Sequence, residues 1–226
     1  MAFILNIETA TTACSVSVSK NGETIAFKET NNGYSHAENL HLFINEVMKA
    51  ASLNLKDLNA IAISKGPGSY TGLRIGVSAA KGLAYGLSIP LIAVDTLQAM
   101  TYAALIIGAE NAMYCPMLDA RRMEVYTAIY NQQLDFIKNI EALIVDETSS
   151  QQFSTYDKIY FFGDGMPKSK TILSQLKNAD FIDGIVPSAK NIGQLSFKKY
   201  ASKNFEDVVY FEPFYLKDFL ITTKKK

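Results

Sequence analysis

The stretch Ser64-Lys65-Gly66-Pro67-Gly68-Ser69-Tyr70-Thr71-Gly72-Leu73-Arg74 decides how this chain is organised. It follows a short apolar strand, Ala60–Ile63, and leads into the proline-free run Ile75–Leu87, which predicts a helix. The glycines and the proline predict a tight turn, whose free amides at a helix start suit an anion or the close approach of another backbone. A Walker loop needs Lys-Ser/Thr after its second glycine, whereas Leu73-Arg74 follows Gly72 here. A closely packed strand-to-helix turn is therefore the favoured interpretation.

The helix after this turn predicts a surface for a partner. Its apolar residues spread around the whole circumference, and such a helix has to be covered on both sides, which one chain need not supply. Its small residues would let a second helix approach closely, and the preceding helix, His36–Ala51, should flank it. The predicted interface residues on these two helices are His41, Asn45, Met48, Gly76, Ala79, Ala80 and Leu83.

Composition predicts a globular chain without a strong electrostatic field. The 226 residues are 48% hydrophobic and 19% charged, and 22 basic residues balance 22 acidic ones. A balanced charge attracts no nucleic acid by itself, so a role with RNA would depend on a more basic partner. The start lacks the basic region of a signal peptide, and the longest apolar helix candidate, Ala99–Ala109, is too short to span a bilayer. Cys14 and Cys115 lack metal or redox spacing, which favours buried thiols in a reducing cytoplasm.

The alternation of short strands and helices predicts an α/β fold of two lobes. The first half begins strand-strand-strand-helix-strand-helix (βββαβα), with a hairpin at Asn21-Gly22 and a capping box at Ser35–Glu38. The second half repeats this order around the charged break Asp119–Arg122, which indicates an actin-like, ribonuclease-H-like (ASKHA) fold. We expect an N-terminal lobe at residues 1–108 and a C-terminal lobe at 109–226, whose last segment could return to the first lobe. Late in the chain the pattern predicts a helix at Ala189–Lys203 and a strand or bend at Val208–Phe211.

Two acidic residues mark where chemistry could occur in such a fold. Carboxylates at the end of each lobe's first strand would hold magnesium, and Glu8 and Asp119 occupy those places. The alternative is that both cap strand ends and pair with Arg121 or Lys65, and it is favoured because no complete phosphate motif accompanies them. The residues of the candidate degenerate nucleotide cleft are Glu8, Thr9, Thr11, Gly66, Gly68, Asp119 and Arg121.

The sequence predicts neither a metal site nor a catalytic nucleophile. His36 and His41 lie roughly 140° apart around a helix, whereas a helical metal pair is spaced four residues apart on one face. Ser69, Thr71 or Cys14 would need a base held by a third group, and no histidine is positioned to serve. No catalytic residue, metal ligand or resident cofactor is therefore assigned.

Several of these motifs together resemble one known family. Ile7-Glu8-Thr9, Gly66–Arg74 and Leu118–Arg122 followed by Glu124-Val125-Tyr126 closely resemble the TsaB family of bacterial tRNA threonylcarbamoyladenosine biosynthesis proteins. These are the non-catalytic paralogues in the glycoprotease-like TsaD superfamily. The resemblance runs the whole chain, although Lys217 replaces a more usual arginine. Its later motifs are Gly163-Asp164-Gly165, Pro187-Ser188-Ala189 and Pro213–Lys217.

The resemblance implies a supporting role beside a catalytic subunit. TsaD carries a His-x-x-x-His metal pair, and at the matching positions this chain has Thr96 and Met100, neither of which replaces a histidine ligand. The resemblance implies a cytoplasmic heterodimer with TsaD through first-lobe helices, or a homodimer when TsaD is absent. TsaD, helped by the ATPase TsaE, would transfer threonylcarbamoyl from its adenylate to the tRNA adenosine beside the anticodon. tRNA would be engaged indirectly through the complex, and any ATP or ADP would lie at the complex interface.

The alternative is an enzyme in its own right. A protein of this fold could bind or hydrolyse ATP, or act as a metal-dependent peptidase, because a shared fold does not fix a function. Nucleotide turnover by the purified chain, or peptide cleavage abolished by a chelator, would favour this alternative over the supporting role.

Overall fold

A computed structural model describes residues 1–31 and 36–217, which form two five-stranded mixed sheets with helices on their faces. The strands are β1 (Phe3–Glu8), β2 (Cys14–Lys20), β3 (Glu23–Thr30), β4 (Ala60–Ser64), β5 (Leu91–Val94), β6 (Met113–Asp119), β7 (Glu124–Tyr130), β8 (Phe136–Ile144), β9 (Ile159–Phe162) and β10 (Ala179–Ile182). The helices are α1 (His36–Ala50), α2 (Tyr70–Leu87), α3 (Thr96–Ala104), α4 (Glu147–Ser150), α5 (Met166–Leu173) and α6 (Gly193–Ala201). Short 3₁₀ turns lie at Leu55–Asp57, Gln151–Thr155 and Ala189–Asn191.

The two sheets repeat one topology. The strand orders are β3-β2-β1-β4-β5 and β8-β7-β6-β9-β10, so each half places an antiparallel three-stranded meander beside two parallel strands. In the first sheet, β1 and β2 pair from Phe3 with Lys20 to Glu8 with Ser15. Asn21 and Gly22 both have positive φ, 51° and 90°, as a two-residue hairpin turn requires. The predicted hairpin and the two-lobed α/β fold class are confirmed.

Helices cover both faces of the first sheet. On one face α1 and α2 enclose strand residues such as Leu5 and Ile63. On the other face Ile4 and Ile92 pack with Ala99 of α3 and with Leu195 of α6. Helix α3 also packs on the second sheet through a different set of side chains, so it lies between the two sheets. Those side chains are Leu97, Met100 and Ala104.

A seam of buried polar side chains attaches α6 and the 3₁₀ turn before it to the first sheet. The Asn6 side-chain amide donates to Ser17 Oγ at 3.2 Å and to Ser19 Oγ at 3.1 Å, and its carbonyl accepts from Ser196 Oγ at 2.7 Å. Ser17 in turn donates to the Ala189 carbonyl at 2.9 Å. These groups are all buried, so their mutual hydrogen bonds offset the cost of removing them from water.

The last described segment, residues 204–217, also crosses the first half, and we call it the C-terminal strap. The Glu206 amide donates to the Leu91 carbonyl at 2.9 Å, and Lys81 of α2 donates to the carbonyl oxygens of Val209 (3.0 Å) and Phe211 (2.8 Å).

The predicted boundary between an N-terminal lobe at residues 1–108 and a C-terminal lobe at 109–226 remains a prediction.

Several element limits differ from the sequence-based expectation. Helix α2 begins at Tyr70, inside the glycine stretch, because the Ser69 hydroxyl accepts from the Gly72 amide at 3.3 Å and caps it. The sequence pattern did not predict β10. It predicted one helix where the structure has a 3₁₀ turn at Ala189–Asn191 followed by α6. Val208–Phe211 forms no strand and contains a turn. Ser35 of the predicted capping box lies outside the described residues, and no helix within the described ranges is long and apolar enough to cross a membrane.

Candidate functional site

A concave surface lies between α1 and α2, and we call it the α1–α2 groove. Its volume is about 610 Å³. The side chains along it are mostly small or apolar, with His41, Arg74 and Ser78 among them as polar groups. An open apolar groove between two helices suits a helix of another chain better than it suits a small polar substrate. The lining residues are Ala37, Leu40, His41, Arg74, Ile75, Ser78, Ala79, Gly82 and Leu83.

The structure divides the predicted interface residues into two groups. His41 is exposed, and Ala79 and Leu83 are half-buried, so these three line the α1–α2 groove, while Asn45 is exposed farther along α1.

Met48, Gly76 and Ala80 were wrongly assigned to the interface, because they are buried in this chain's own core. A side-chain Cβ at Gly76 would collide with Thr9 Oγ1, which shows how closely α2 packs on the end of β1. Helix α2 therefore buries one face in its own chain and leaves only the other for a partner.

The glycine turn is packed against its own chain. The Ser69 amide donates to the Ala10 carbonyl at 2.6 Å, and the Phe214 amide of the C-terminal strap donates to the Lys65 carbonyl at 2.7 Å. A Cβ at Gly68 would collide with the Ala10 carbonyl oxygen. The close backbone approach expected at this turn is therefore real, and it comes from this chain.

Glu8 is enclosed beneath this turn. Its Oε1 accepts from the Ala10 amide and from the Ser64 hydroxyl, both at 2.6 Å, and its Oε2 has no partner among the described residues. Burial raises the pKa of the Glu8 carboxyl to about 7. The Thr9 hydroxyl is also buried without a partner in the described part of the chain. A carboxyl in this position holds the loop after β1 and cannot reach a nucleotide in solvent.

Asp119 and Arg121 belong to a separate surface, the tip of the β6–β7 hairpin. The Asp119 carboxylate forms an ion pair with Lys168 and accepts from the Arg121 amide at 3.1 Å. The Asp119 amide donates to Asp164 Oδ1 at 2.9 Å. Arg121 and Arg122 both have positive φ, 72° and 45°, a conformation that costs non-glycine residues of order 1–3 kcal/mol each. Both arginines are exposed.

The predicted nucleotide cleft is therefore not one site. Glu8 and Thr9 lie under the glycine turn, which contains Gly66 and Gly68. Asp119 and Arg121 lie on the exposed hairpin tip. No hydrogen bond or ion pair found within the described ranges joins the two groups, and Thr11 engages His36 instead. The residues present do not fit a bound nucleotide. The favoured alternative for Glu8 and Asp119 was right about strand ends, and Asp119 does contact Arg121, through its backbone amide. The ion pairs differ from the expectation, since Asp119 pairs with Lys168 and Lys65 pairs with Asp95 at 3.3 Å.

His36 is the structural residue that sequence reasoning missed. It is only 3% exposed, and its Nε2 lies 2.6 Å from the Thr11 carbonyl oxygen, so that nitrogen carries a proton and donates. It thereby fixes the start of α1 to the loop after β1. A histidine early in a helix gave no signal of this burial, because its partner is a backbone carbonyl 25 residues away in sequence.

The remaining metal-site expectations concern α3 and the histidines. Thr96 and Met100, which stand where TsaD has its histidine pair, are completely buried. Within residues 1–31 and 36–217, no group of three or more His, Cys, Asp or Glu side chains is arranged to hold a metal ion. Cys14 and Cys115 are buried free thiols. Burial raises the pKa of the Cys14 thiol to about 11 and that of the Cys115 thiol to about 12, so neither is an activated nucleophile.

The comparisons with known proteins begin with a family model. The model described as TsaD, tRNA N6-adenosine threonylcarbamoyltransferase, matches residues 31–217. The chain belongs to the TsaD family. Among TsaD-family relatives, the tRNA threonylcarbamoyladenosine biosynthesis protein TsaB of Haemophilus influenzae is 29% identical over 98% of this chain and 96% of its own length. The resemblance to TsaB is thereby confirmed, which puts the chain among the proteins of tRNA threonylcarbamoyladenosine biosynthesis.

Solved structures agree on the fold of this TsaD-family chain. A Pseudomonas aeruginosa protein described as similar to the peptidase YEAZ superposes with a TM-score of 0.84 at 24% identity, covering 96% of this chain and 100% of its own. The (R)-2-hydroxyglutaryl-CoA dehydratase component A of Acidaminococcus fermentans gives a TM-score of 0.54 at 10% identity, covering 89% and 100%. These likenesses confirm the actin-like, two-lobed fold and carry no conclusion about activity.

Proposed function

We propose that this chain is the non-catalytic subunit of a bacterial tRNA threonylcarbamoyladenosine synthase. It binds the catalytic subunit TsaD and supports it in a complex that TsaE also serves. TsaD transfers threonylcarbamoyl from threonylcarbamoyl-AMP to the tRNA adenosine next to the anticodon. Because tRNA is modified in the cytoplasm, the proposal puts the chain there.

The observation that carries the proposal is the α1–α2 groove. Ala79 and Leu83 are half-buried in its wall. Gly82 lies beside them, and the space that a side chain would fill there is open. Small residues of this kind let a facing helix approach closely, and His41 and Ser78 supply polar contacts. We propose that helices of TsaD occupy this groove and that a second copy of the chain occupies it when TsaD is absent.

The supporting role agrees with the chemistry of the chain's own residues. Glu8, the carboxyl closest to the position of a catalytic acid in this fold, is enclosed and already accepts two hydrogen bonds. The glycine turn is packed against Ala10 and the C-terminal strap of its own chain. We therefore propose that any ATP or ADP used by the complex lies at the TsaD interface, and that the isolated chain neither hydrolyses ATP nor cleaves peptides.

Reconstitution tests the proposal directly. TsaD and TsaE would be supplied with threonylcarbamoyl-AMP and unmodified tRNA, with and without this chain, and modified adenosine would be counted by mass spectrometry. We expect product only when the chain is present, together with co-purification of TsaD through it. Equal product without the chain contradicts the supporting role. ATP turnover by the pure chain that Glu8→Gln abolishes would favour the enzyme alternative.

A further inference from the structure

A second surface runs from the start of α2 to the tip of the β6–β7 hairpin, and it holds every arginine of the chain. The sequence has three arginines among its 22 basic residues, and they are Arg74, Arg121 and Arg122. All three are exposed, and none forms an ion pair with any residue that the structure describes. We call this surface the arginine face.

The C-terminal strap connects the two ends of the arginine face. The guanidinium of Arg74 lies 5.4 Å from the centre of the Tyr70 ring, and Tyr70 packs on Tyr215 of the strap with ring centres 4.8 Å apart. Two residues later, Lys217 forms an ion pair with Glu124, at the base of the hairpin that carries Arg121 and Arg122. Two residues span at most about 7 Å, so the arginines of both halves belong to one continuous surface.

Two acids near the arginine face pair with lysines, whereas Asp164 and Glu212 form no ion pair with any residue that the structure describes. Asp119 pairs with Lys168, and Glu124 pairs with Lys217. Arg121 and Arg122 are consecutive residues at the hairpin tip, both are exposed, and neither forms an ion pair with a described residue, so their guanidinium groups remain available. Arginine binds phosphate oxygens in a two-pronged geometry and stacks on planar rings, which lysine does not.

Exposed aromatic rings lie among these cations. Phe214 is 38% exposed and Tyr215 is 37% exposed, although both are held in place by the strap's contacts with the glycine turn and with Tyr70. Arginines for phosphates interleaved with fixed aromatic rings for bases form the pattern by which proteins bind unpaired RNA. A protein partner would use such rings as well, but it would not by itself account for all three arginines on one face.

We propose that the arginine face binds the phosphates and unpaired bases of a single-stranded RNA loop. The inference rests on the proposed function, since the complex acts on an adenosine in a tRNA loop. Arg74 also lines the α1–α2 groove, so RNA on the arginine face lies directly beside the subunit seated in the groove. The binding by this chain alone is weak at physiological salt because its net charge is zero, and it becomes measurable at low salt.

The test measures RNA binding by the full chain alone, so it does not depend on TsaD. The probe is a fluorescein-labelled RNA hairpin with a seven-nucleotide loop, followed by fluorescence anisotropy from about 20 to 200 mM salt. We expect the double variant Arg121→Ala/Arg122→Ala to weaken binding about tenfold at the lowest salt. The slope of log affinity against log salt should fall in magnitude by about 1.4, because each phosphate of single-stranded RNA that the protein no longer neutralises lowers it by about 0.7.

A matched control removes two cations elsewhere. Lys158 and Lys177 precede β9 and β10, which run parallel to β6, so both lie at the edge of the second sheet opposite the hairpin tip. Lys158→Ala/Lys177→Ala should change the affinity less than twofold. Tyr215→Ser should weaken binding at every salt concentration without changing the slope, with thermal melting run beside it because Tyr215 also holds the strap.

Three results would overturn the proposal. The wild-type chain could fail to bind the probe at 20 mM salt, or both double variants could weaken binding equally, which would mean that overall charge alone attracts RNA. The arginine variant could also keep its RNA affinity and lose TsaD in a pull-down, which would make the face a protein contact. A wild-type chain that binds the RNA probe and does not co-purify TsaD would instead count against the proposed function alone.

Discussion

Glu8 shows what a single buried carboxyl does in this fold. Its position at the end of β1 was readable from the sequence, but its enclosure was not, because the covering groups come from the glycine turn and from α2. Its two hydrogen bonds, from Ala10 and Ser64, hold the loop that both α1 and α2 pack against. The carboxyl is therefore a structural group whose protonation matters for stability.

Glu8→Gln should change how stability depends on pH. The unfolded chain releases this proton near pH 4.5 and the folded chain near pH 7, so between those values the folded state binds more protons and loses stability as the pH rises. The wild-type chain should lose up to about 3 kcal/mol relative to Glu8→Gln across this window. Urea denaturation at pH 5 and pH 8 measures it, with exposed Glu23→Gln as the control. A constant difference between wild type and Glu8→Gln would contradict the prediction.

At the scale of elements, α2 and α3 are covered differently. The even spread of apolar residues on α2 predicted cover on both sides, of which this chain supplies one, and the other face borders the α1–α2 groove. Helix α3 is the helix enclosed on both sides, by the first sheet at Ala99 and by the second at Leu97 and Met100. The sequence could not distinguish them, because the second cover of α3 comes from strands far away along the chain.

Neighbouring alanines on α2 provide a matched test of the groove. Ala79→Arg puts a long charged side chain into the half-buried groove wall, so it should abolish TsaD association while the melting temperature stays within a few degrees of wild type. Ala80→Arg puts the same charge into the core, where an unpaired charge costs several kcal/mol, so it should unfold the chain. Pull-down and thermal melting are measured for both. Full TsaD binding by a folded Ala79→Arg variant would show that the partner sits elsewhere.

At the scale of the whole molecule, the repeated βββαβα order was readable from the sequence because strand and helix patterns are local. The return of α6 and the C-terminal strap to the first sheet was left open, since it depends on side chains such as Asn6 and Ser196 that meet only in the folded chain. Likewise, Glu8 and Asp119 share a position in the repeat without sharing a site. A pattern along the chain predicts equivalent places in two lobes, and packing decides whether they face one another.

The seam around Asn6 should make the two halves unfold together. Ser196→Ala leaves the Asn6 carbonyl without this donor and should cost about 1–3 kcal/mol, and Asn6→Ala should cost more because three serine hydroxyls lose a partner. The double variant should cost less than the sum of the two, since the residues share one bond. Urea unfolding followed by circular dichroism and by tyrosine fluorescence should give one coincident transition. Two separate transitions would show that the halves fold independently.

The position of α6 late in the chain has a consequence for biosynthesis. The face of the first sheet that carries Ile4, Ala62 and Ile92 is covered in part by Ile192 and Leu195. Domains generally begin to fold as the ribosome makes them, from the N-terminus onward. This sheet, although its own strands are complete by Val94, keeps an uncovered apolar surface until Leu195 has been translated, about a hundred residues later. The nascent chain is therefore exposed to chaperones throughout that interval.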